Sequence, residues 1–443
     1  MLDMAACCRA HARPARDGGV NVRIGFDISV LRIANAGVLT YTRNLLNALV
    51  AQGDTYTLLD VLPLNPHRPM RPIDAFAAEN ARLVRCGGLP RGYLSALPPL
   101  RHGLPHRLAE LIDRALDRPW EAAAIGVLGL QLRTALRGIA VFHGSDQFWY
   151  APPGGASVMT FHDLTYRVEP AWHVAENTSM HHAKETFAMT RATRLIAVSH
   201  ATRDDLVRFL GIDPARIRVV YEAADPSFSP SRGARLDDAL ARYGLRPGGY
   251  LLSVGTLEPR KNYIRLIEAY ARLQTRHPDV PPLVIAGGQG WHFADILAAP
   301  ERAGVAGRVR FLGRVADEDL PLIYAGATLF VYPSLYEGFG LPILEALACG
   351  VPVVAANTSS IPEVIGDAGL LCEPYDVTSI TAALERLLAD PHLAARLRAA
   401  GPPHARRFSW ERAARETLAV YAEAADAIRE QQHTRRRRSH NNP

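Results

Sequence analysis

The sequence predicts an α/β protein whose two halves each form a parallel sheet covered by helices. Short buried-strand patterns alternate with amphipathic helices, the order expected when crossover helices join parallel strands. This alternation runs twice and is interrupted at 223–234, a stretch that contains Pro226, Pro230 and Gly233. With 443 residues, 48% of them apolar, the chain is long enough to bury two separate cores.

The N-terminal half is expected to contain six strands, at 22–27, 55–62, 139–143, 157–161, 195–198 and 219–220. Its helices are predicted at 39–50, 105–116, 176–193 and, beginning with a cap at Ser199, up to Leu210. Between the second strand and the helix at 105–116, residues 63–105 are rich in Pro, Gly and Arg and are expected to be irregular.

The C-terminal half repeats the pattern, with strands at 250–254, 283–287, 309–312, 328–332, 351–355 and 369–371. Helices are predicted at 264–276, 319–326, 379–388, 391–398 and 410–429. We therefore divide the chain into a disordered extension, two domains, a long terminal helix and a basic disordered tail, at 1–21, 22–225, 235–405, 406–430 and 431–443.

Charge and cysteine content exclude several classes of protein. The formal charge of +6 comes from residues 1–23 and from four consecutive arginines at 435–438, so the body of the chain is neutral and nucleic acid is not an expected partner. Five cysteines without Cys-x-x-Cys spacing argue against a disulfide framework or a zinc site. No apolar run approaches the roughly 20 residues that span a bilayer.

A glycine-rich turn at 333–350, between two predicted strands, is the most informative stretch. A proline and a glycine mark the start and end of a short helix there. Backbone N–H groups around Gly340 and Leu341 lie where a helix start attracts an anion. Glu337 in the loop and Glu345 in the helix add acceptors for sugar hydroxyls, so we interpret the stretch as a nucleotide-sugar site.

A basic pair, Arg260 and Lys261, follows the predicted strand 250–254. Ligands favour the carboxyl ends of parallel strands, where a planar guanidinium and a compact ammonium suit a diphosphate, although such pairs are commonly just solvated. Strand-end His162 and His143 could hydrogen-bond a sugar hydroxyl, but histidines at such positions are more often structural.

Signatures of other chemistry are weak. No Gly-x-Gly-x-x-Gly follows a predicted strand and no Walker A loop occurs, which disfavours dinucleotide oxidoreductases and P-loop enzymes. The acidic run Asp317-Glu318-Asp319 spells a pattern that binds metal in some sugar transferases. Here it opens a helix, so we interpret it as an N-cap with first-turn acids and expect no metal.

Taken together, these motifs resemble family 4 of the retaining glycosyltransferases, and within it the bacterial mannosyltransferase-like members that build surface polysaccharides. The resemblance covers about residues 22–425. It is carried by the motifs Phe161-His-Asp-Leu164, Val254-Gly-Thr-Leu-Glu-Pro-Arg-Lys-Asn262, Glu337-Gly-Phe-Gly-Leu-Pro-Ile-Leu-Glu345 and Ser359-Ser-Ile-Pro-Glu-Val364.

The resemblance implies the GT-B fold, in which two Rossmann-like domains face each other and a terminal helix crosses back to the N-terminal domain. The N-terminal domain would bind a glycan or lipid-linked acceptor, and the C-terminal domain a nucleotide-sugar, with GDP-mannose preferred. The implied reaction is hexose transfer with retention, giving an α-linked product without a metal or resident cofactor.

The resemblance also implies roles for individual residues. Lys261 and Arg260 would hold the diphosphate, Glu345 the ribose and Glu337 the transferred sugar. His162 would reach that sugar from the opposite domain. The remaining implied donor contacts are the backbone of Phe339, Gly340 and Leu341, the loop at Gly37, and Thr256, which stands where many relatives carry an arginine.

Three alternatives use the same cleft: a GT-B sugar-nucleotide epimerase, a phosphorylase, and a non-catalytic nucleotide-sugar-binding protein. We find no lysine to assign to the pyridoxal phosphate of a phosphorylase. The presence of Glu337, Glu345, Lys261 and His162 argues against a protein that has lost its activity.

The region 85–137 carries eight arginines against four acidic residues. It suits either a helix packed on a sheet with a solvated rim or a membrane-surface patch near the acceptor site. The N-terminus lacks the continuous apolar core of a secretory signal, so we expect a cytoplasmic enzyme, with peripheral association at the inner face of the membrane as one option.

Overall fold

The computed structural model describes most of the chain. The described residues are 23–32, 36–62, 80–87, 129–144, 148–173, 178–231 and 233–440. The predicted extension at 1–21 and the predicted amphipathic helix at 105–116 lie outside these residues, as does most of the arginine-rich region.

The N-terminal domain is built on a seven-stranded sheet in which every pairing is parallel, in the order β3-β2-β1-β4-β5-β6-β7. Its strands are β1 (Arg23–Asp27), β2 (Thr55–Leu62), β3 (Ala81–Gly87), β4 (Val141–Gly144), β5 (Ala156–Phe161), β6 (Arg194–Ala197) and β7 (Ile217–Val219). Its main helices are α1 (Ala36–Val50), the short α2 (Thr165–Val168), α3 (Thr178–Thr190) and α4 (His200–Leu210).

The C-terminal domain repeats this architecture with a six-stranded parallel sheet in the order β10-β9-β8-β11-β12-β13. The strands are β8 (Leu251–Val254), β9 (Leu283–Ala286), β10 (Val309–Gly313), β11 (Leu329–Tyr332), β12 (Val353–Ala356) and β13 (Leu370–Cys372). The helices are α5 (Ala234–Arg242), α6 (Tyr263–Arg276), α7 (Ala294–Arg302), α8 (Leu320–Ala325), α9 (Leu341–Ala348), α10 (Ile361–Ile365), α11 (Val377–Ala389) and α12 (Pro391–Ala405).

The last helix, α13 (Trp410–His440), returns to the N-terminal domain and packs on α1 and β5. Its first residue, Trp410, meets Tyr41 of α1 with ring centroids 5.9 Å apart. Further along, the Tyr421 hydroxyl lies 2.6 Å from Nδ1 of the fully buried His143. The predicted fold class, two Rossmann-like domains with a helix that crosses back, is therefore confirmed.

Four sequence-based predictions need correction. The region 63–105 is not wholly irregular, because β3 extends the first sheet. Helix α1 begins at Ala36 rather than at 39, which places Gly37 in its first turn rather than in a loop. The terminal helix continues from 431 through His440, where we expected a disordered tail; arginine and glutamine are good helix formers, so the extension needs no apolar face.

The acidic run before α8 is the fourth correction. Asp319 occupies the N-cap position, but its side chain makes no capping hydrogen bond. Instead the carboxylate accepts hydrogen bonds from Arg242 and from the Tyr243 hydroxyl, which tie α8 to the end of α5. Within the described part of the chain, no helix is long and apolar enough to span a bilayer.

Candidate active site

The site forms where the loops after β8 and β11 meet. These two strands are neighbours in the second sheet, so the loops that follow them leave the same edge side by side. The loop 255–262 carries Arg260 and Lys261 in a 3-10 turn, and the loop 333–340 carries Glu337. A backbone hydrogen bond of 2.8 Å from the Leu335 N–H to the Arg260 carbonyl joins the two loops directly.

The structure brings Glu337, Lys261 and Arg260 into one buried ionic network. Lys261 Nζ lies 2.7 Å from Oε1 of Glu337, and Arg260 Nη1 lies 2.6 Å from Oε2. Arg260 also donates through Nη2 to Glu258, at 2.6 Å, and through Nη1 to the Tyr336 carbonyl. Two cations and two carboxylates therefore balance, and only 7% of Glu337 and 8% of Lys261 is exposed.

Electrostatics keep Glu337 ionised. Burial alone would raise the pKa of this carboxyl, but the charges of Arg260 and Lys261 outweigh burial and lower the pKa to about 2. Burial and the charge of Arg260 lower the pKa of Lys261, and the facing Glu337 carboxylate opposes that change. The same carboxylate and Glu258 raise the pKa of Arg260 against the effect of burial.

Tyr332, the last residue of β11, completes the network. Its hydroxyl donates to Oε1 of Glu337 and accepts from Lys261 Nζ, both at 2.8 Å. Neither Tyr332 nor Glu258 was singled out from the sequence. Their positions in the sequence could have indicated a role in the site, because Tyr332 ends the strand before the loop and Glu258 lies two residues before Arg260.

The loop that carries Glu337 is held from behind by two serines of the motif at 359–364. Ser359 accepts a hydrogen bond from the Glu337 N–H at 2.9 Å. Ser360 donates to the carbonyls of Glu337 and Phe339, at 2.9 and 2.8 Å. The Phe339 side chain is buried beside Tyr221, so only the Phe339 backbone remains to meet a ligand.

Glu345 lies one turn inside α9, apart from the ionic network. Its Oε2 accepts a hydrogen bond from the Tyr324 hydroxyl at 2.8 Å. Burial raises the pKa of Glu345 to about 7; the Tyr324 hydrogen bond opposes this change, and the charge of Asp225 adds to it.

Leu341 begins α9 and Gly340 precedes it at φ 110°. Pro342 has no N–H and the Ile343 N–H donates to the Gly340 carbonyl at 2.9 Å, so the Leu341 N–H, which has no intrahelical acceptor, is the donor that the helix start offers.

His162 faces this site from the N-terminal domain. A Cβ built on Gly338 would lie 1.6 Å from the His162 carbonyl oxygen, so only glycine permits this approach of the two backbones. The His162 ring packs edge-on against Tyr41, with centroids 4.6 Å apart, and its Nδ1 lies 3.0 Å from Glu222. When Nδ1 donates to Glu222, Nε2 presents a lone pair to a ligand.

The other predicted residues divide into two groups. Gly37 is exposed one helical turn before Tyr41, so it shares the face of α1 that approaches His162. Thr256 is exposed and lies next to Gly290; a Cβ built on Gly290 would be 2.7 Å from the Thr256 methyl carbon. In contrast, both ring nitrogens of His143 are occupied, by Tyr421 and Thr160, and burial lowers its pKa to about 3; its role is structural.

Among the residues that the structure describes, no group of three or more His, Cys, Asp or Glu side chains is arranged to hold a metal ion.

Two family models match the chain. "Glycosyltransferase Family 4" matches residues 36–228, and "Glycosyl transferases group 1" matches residues 246–403. These ranges cover the N-terminal sheet from α1 onward and almost the whole second domain, including the loops that carry Lys261 and Glu337.

Two known glycosyltransferases illustrate the similarity in sequence. The O-antigen chain mannosyltransferase B of Escherichia coli is 37% identical over 281 residues, which is 63% of this chain and 74% of that protein. A D-inositol 3-phosphate glycosyltransferase of Streptomyces bingchenggensis is 35% identical over 249 residues, about half of each chain at 54%.

Among solved structures, sucrose-phosphate synthase from Thermosynechococcus elongatus superposes with a TM-score of 0.66 at 23% identity. The match covers 92% of this chain and 100% of that one, and it supports the fold alone. The family models and the mannosyltransferase, with the parallel sheets and the facing cleft, identify the chain as a member of glycosyltransferase family 4.

Proposed function

We propose that this glycosyltransferase moves a mannosyl group from GDP-mannose to a hydroxyl of a glycan or lipid-linked glycan, with retention and without a metal. The observation that carries the proposal is the junction of Lys261, Arg260 and Glu337 opposite His162. The preference for mannose rests on the similarity to the O-antigen mannosyltransferase. A lipid-linked acceptor would place the enzyme at the inner face of a membrane.

Departure of the nucleoside diphosphate is the difficult step, because the leaving oxygens gain negative charge as the sugar gains oxocarbenium character. Lys261 has three N–H donors and meets two acceptors, Glu337 and Tyr332, so one donor can serve a phosphate oxygen. The backbone N–H at the start of α9 adds an oriented dipole. Such preorganised donors stabilise developing charge in place of a cation such as Mg²⁺.

Glu337 is suited to orient the sugar rather than to attack it. Its Oε1 accepts from Lys261 and Tyr332, and its Oε2 accepts from Arg260. A carboxylate held by three donors is a weak nucleophile, which distinguishes it from the carboxylate that attacks in retaining hydrolases. We therefore infer attack by the acceptor on the face that the diphosphate leaves, with the leaving phosphate taking the acceptor's proton.

The remaining residues fit supporting roles in the same reaction. His162, oriented by Glu222, would accept a hydrogen bond from a hydroxyl of the transferred sugar. Glu345 would accept from the ribose hydroxyls in its ionised form, and those donors would offset the burial that raises its pKa to about 7. Gly37 on α1 would allow the phosphate to approach the backbone of the other domain.

A two-stage experiment tests the proposal. Thermal shift with GDP-, UDP- and ADP-sugars identifies the donor, because a ligand that binds only the folded state raises Tm. NMR of the transferred sugar then gives the anomeric configuration, and EDTA tests the need for metal. We expect a shift with GDP-mannose, an α-linked product and activity that persists in EDTA. A β-linked product would contradict the proposed mechanism.

Replacing Lys261 tests the site itself. The Lys261→Ala variant should lose roughly 10²–10³-fold in turnover, the usual effect of removing one preorganised charge-stabilising donor. Lys184 provides a matched control, since it lies over the Phe161 ring and not in the ionic network. Full activity of Lys261→Ala would show that the diphosphate binds elsewhere.

A further inference from the structure

An aromatic cluster spans the two domains at the rim of the cleft, next to the ionic network. We define it as Tyr166, His173 and His181 of the N-terminal domain and Trp291 of the C-terminal domain. The Tyr166 ring stacks on His181 with centroids 3.9 Å apart and planes inclined by 12°. The ring centroid of His173 lies 6.4 Å from that of Tyr166 and 6.0 Å from that of Trp291, so His173 stands between the aromatic rings of the two domains.

The N-terminal side of the cluster is held firmly. Asp163 accepts hydrogen bonds from the N–H and hydroxyl of Thr165, at 3.1 and 2.8 Å, and so starts α2 directly after His162. Arg167, the neighbour of Tyr166, donates through Nε at 2.6 Å to the buried Glu185 of α3. The turn 170–172 then brings His173 back over the cleft.

The C-terminal side is positioned by the loop that carries the predicted donor contacts. Trp291 directly follows Gly290, where a Cβ would lie 2.9 Å from the Leu257 carbonyl oxygen as well as close to Thr256. The indole Nε1 of Trp291 donates to the Trp172 carbonyl, which joins the two domains at the cluster. The cluster is therefore assembled from both domains.

His173 contributes a polar atom to this cluster. Its Nε2 is buried and, among the described residues, has no hydrogen-bond partner. A buried polar atom without a partner is unfavourable, and a ligand hydroxyl would satisfy it. Burial lowers the pKa of His173, the charges of Asp163 and Glu258 oppose this change, and that of Arg260 adds to it, so the ring lies within electrostatic reach of the ionic network.

We propose that the cluster is the acceptor subsite, in which a pyranose ring stacks on the aromatic rings and hydrogen-bonds to Nε2 of His173. Aromatic rings offer a flat apolar face to the C–H groups of a sugar, while one convergent polar atom fixes its orientation. The donor is assigned to the loops around Lys261, so a second sugar beside them is the acceptor. This inference rests on the proposed glycosyl transfer.

The first test separates acceptor binding from donor binding. The His173→Phe variant keeps an aromatic ring but lacks Nε2. The Trp291→Phe variant replaces the indole, on the C-terminal domain's side of the cluster, by a smaller ring. At saturating GDP-mannose, with a panel of mannosides as acceptors, we expect KM for the acceptor to rise about 3–10-fold, the worth of one hydrogen bond to a neutral group. Donor hydrolysis and the thermal shift with GDP-mannose should not change.

The control is His277→Phe, which alters an exposed histidine at the C-terminal end of α6 that is paired with Glu385. An unchanged acceptor KM in both cluster variants overturns the proposal. An equal loss of donor hydrolysis or of the GDP-mannose thermal shift also overturns it, because it would place the cluster in the donor site.

A second readout does not depend on the donor. Neutral pyranosides of mannose, glucose, galactose and N-acetylglucosamine are titrated while Trp fluorescence is followed. Saturable quenching that Trp291→Phe abolishes and His173→Phe weakens supports the subsite, even if GDP-mannose is the wrong donor. Absence of any saturable change in the unmodified protein overturns the subsite, whereas failure of the donor panel alone overturns only the choice of donor.

Discussion

Replacing Glu345 by glutamine should stabilise the protein at alkaline pH while impairing its activity. Folding raises the pKa of this carboxyl from its ordinary 4.5 to about 7, mainly through burial. Each pKa unit corresponds to about 1.4 kcal/mol, so the ionised carboxylate lowers the free energy of unfolding by up to about 3 kcal/mol. Glutamine keeps an oxygen for the Tyr324 hydroxyl and never ionises.

The sign of the effect depends on pH. Below pH 4.5 the carboxyl is protonated in both the folded and the unfolded chain, and Glu345→Gln should have little effect. As pH rises from 4.5 to 7, the unfolded chain ionises while folding still favours the proton, so the unmodified protein loses stability relative to the variant. Above pH 7 the full difference of up to about 3 kcal/mol should remain.

Urea unfolding at pH 4.5 and pH 8 measures this difference. Glu318→Gln is the matched control, since Glu318 is exposed just before α8. A Glu345→Gln variant whose stability relative to the unmodified protein is the same at both pH values, or lower at pH 8, would refute the reasoning. Loss of transfer activity together with a gain in stability would assign the carboxylate to ligand binding, because a purely structural group would show the reverse.

Three further predictions concern the ionic network and the contact between domains. Glu337→Gln should lower the free energy of unfolding at pH 7, measured in urea, by about 3–5 kcal/mol, since it leaves the buried Lys261 without its carboxylate and Arg260 with Glu258 alone. Because the folded pKa of Glu337 is about 2, this loss should shrink as pH falls from 4.5 towards 2. Arg260→Lys keeps the charge but not the fork that reaches two carboxylates, and should lower turnover at least tenfold in a donor-saturated assay. Gly338→Ala places a Cβ 1.6 Å from the His162 carbonyl and should raise the radius of gyration in X-ray scattering, whereas Gly288→Ala, whose Cβ would meet nothing within 4 Å, should not.

Local sequence patterns predict most of the fold because the strands are short, buried and regularly separated. The strand Thr55–Leu62 begins and ends where it was predicted. Ser199 caps α4, as predicted, by accepting a hydrogen bond from the Thr202 N–H at 3.0 Å. The strand Ala81–Gly87 was missed because Arg82 and Arg85 interrupt its apolar pattern at the outer edge of the sheet. The helix after 430 was missed because it has no apolar face, so the apolar periodicity that predicted the earlier part of the helix does not continue into it.

The site was harder to predict because it depends on which strands are neighbours. Arg260 and Glu337 are 77 residues apart, and their loops meet only because β8 pairs with β11. Nothing local reveals that pairing. The sequence therefore presented a basic pair and a carboxylate as separate groups for two parts of one donor, the diphosphate and the sugar, whereas the structure joins them by ionic contacts of 2.6 and 2.7 Å.

This joining changes the physical account of donor binding. A free basic pair would attract a diphosphate by net positive charge, but here Arg260 and Lys261 are balanced by Glu258 and Glu337. The network has no excess charge, so a diphosphate must be held by well-placed donors rather than by net charge. These are the unused Lys261 donor and the backbone N–H at the start of α9, and His162 lies beside them because its backbone meets Gly338. Because Glu337 holds both cations and is also the group proposed to meet the sugar, sugar position and diphosphate stabilisation are coupled through a single carboxylate. A donor that lacks the correct sugar hydroxyl should therefore lose turnover as well as affinity.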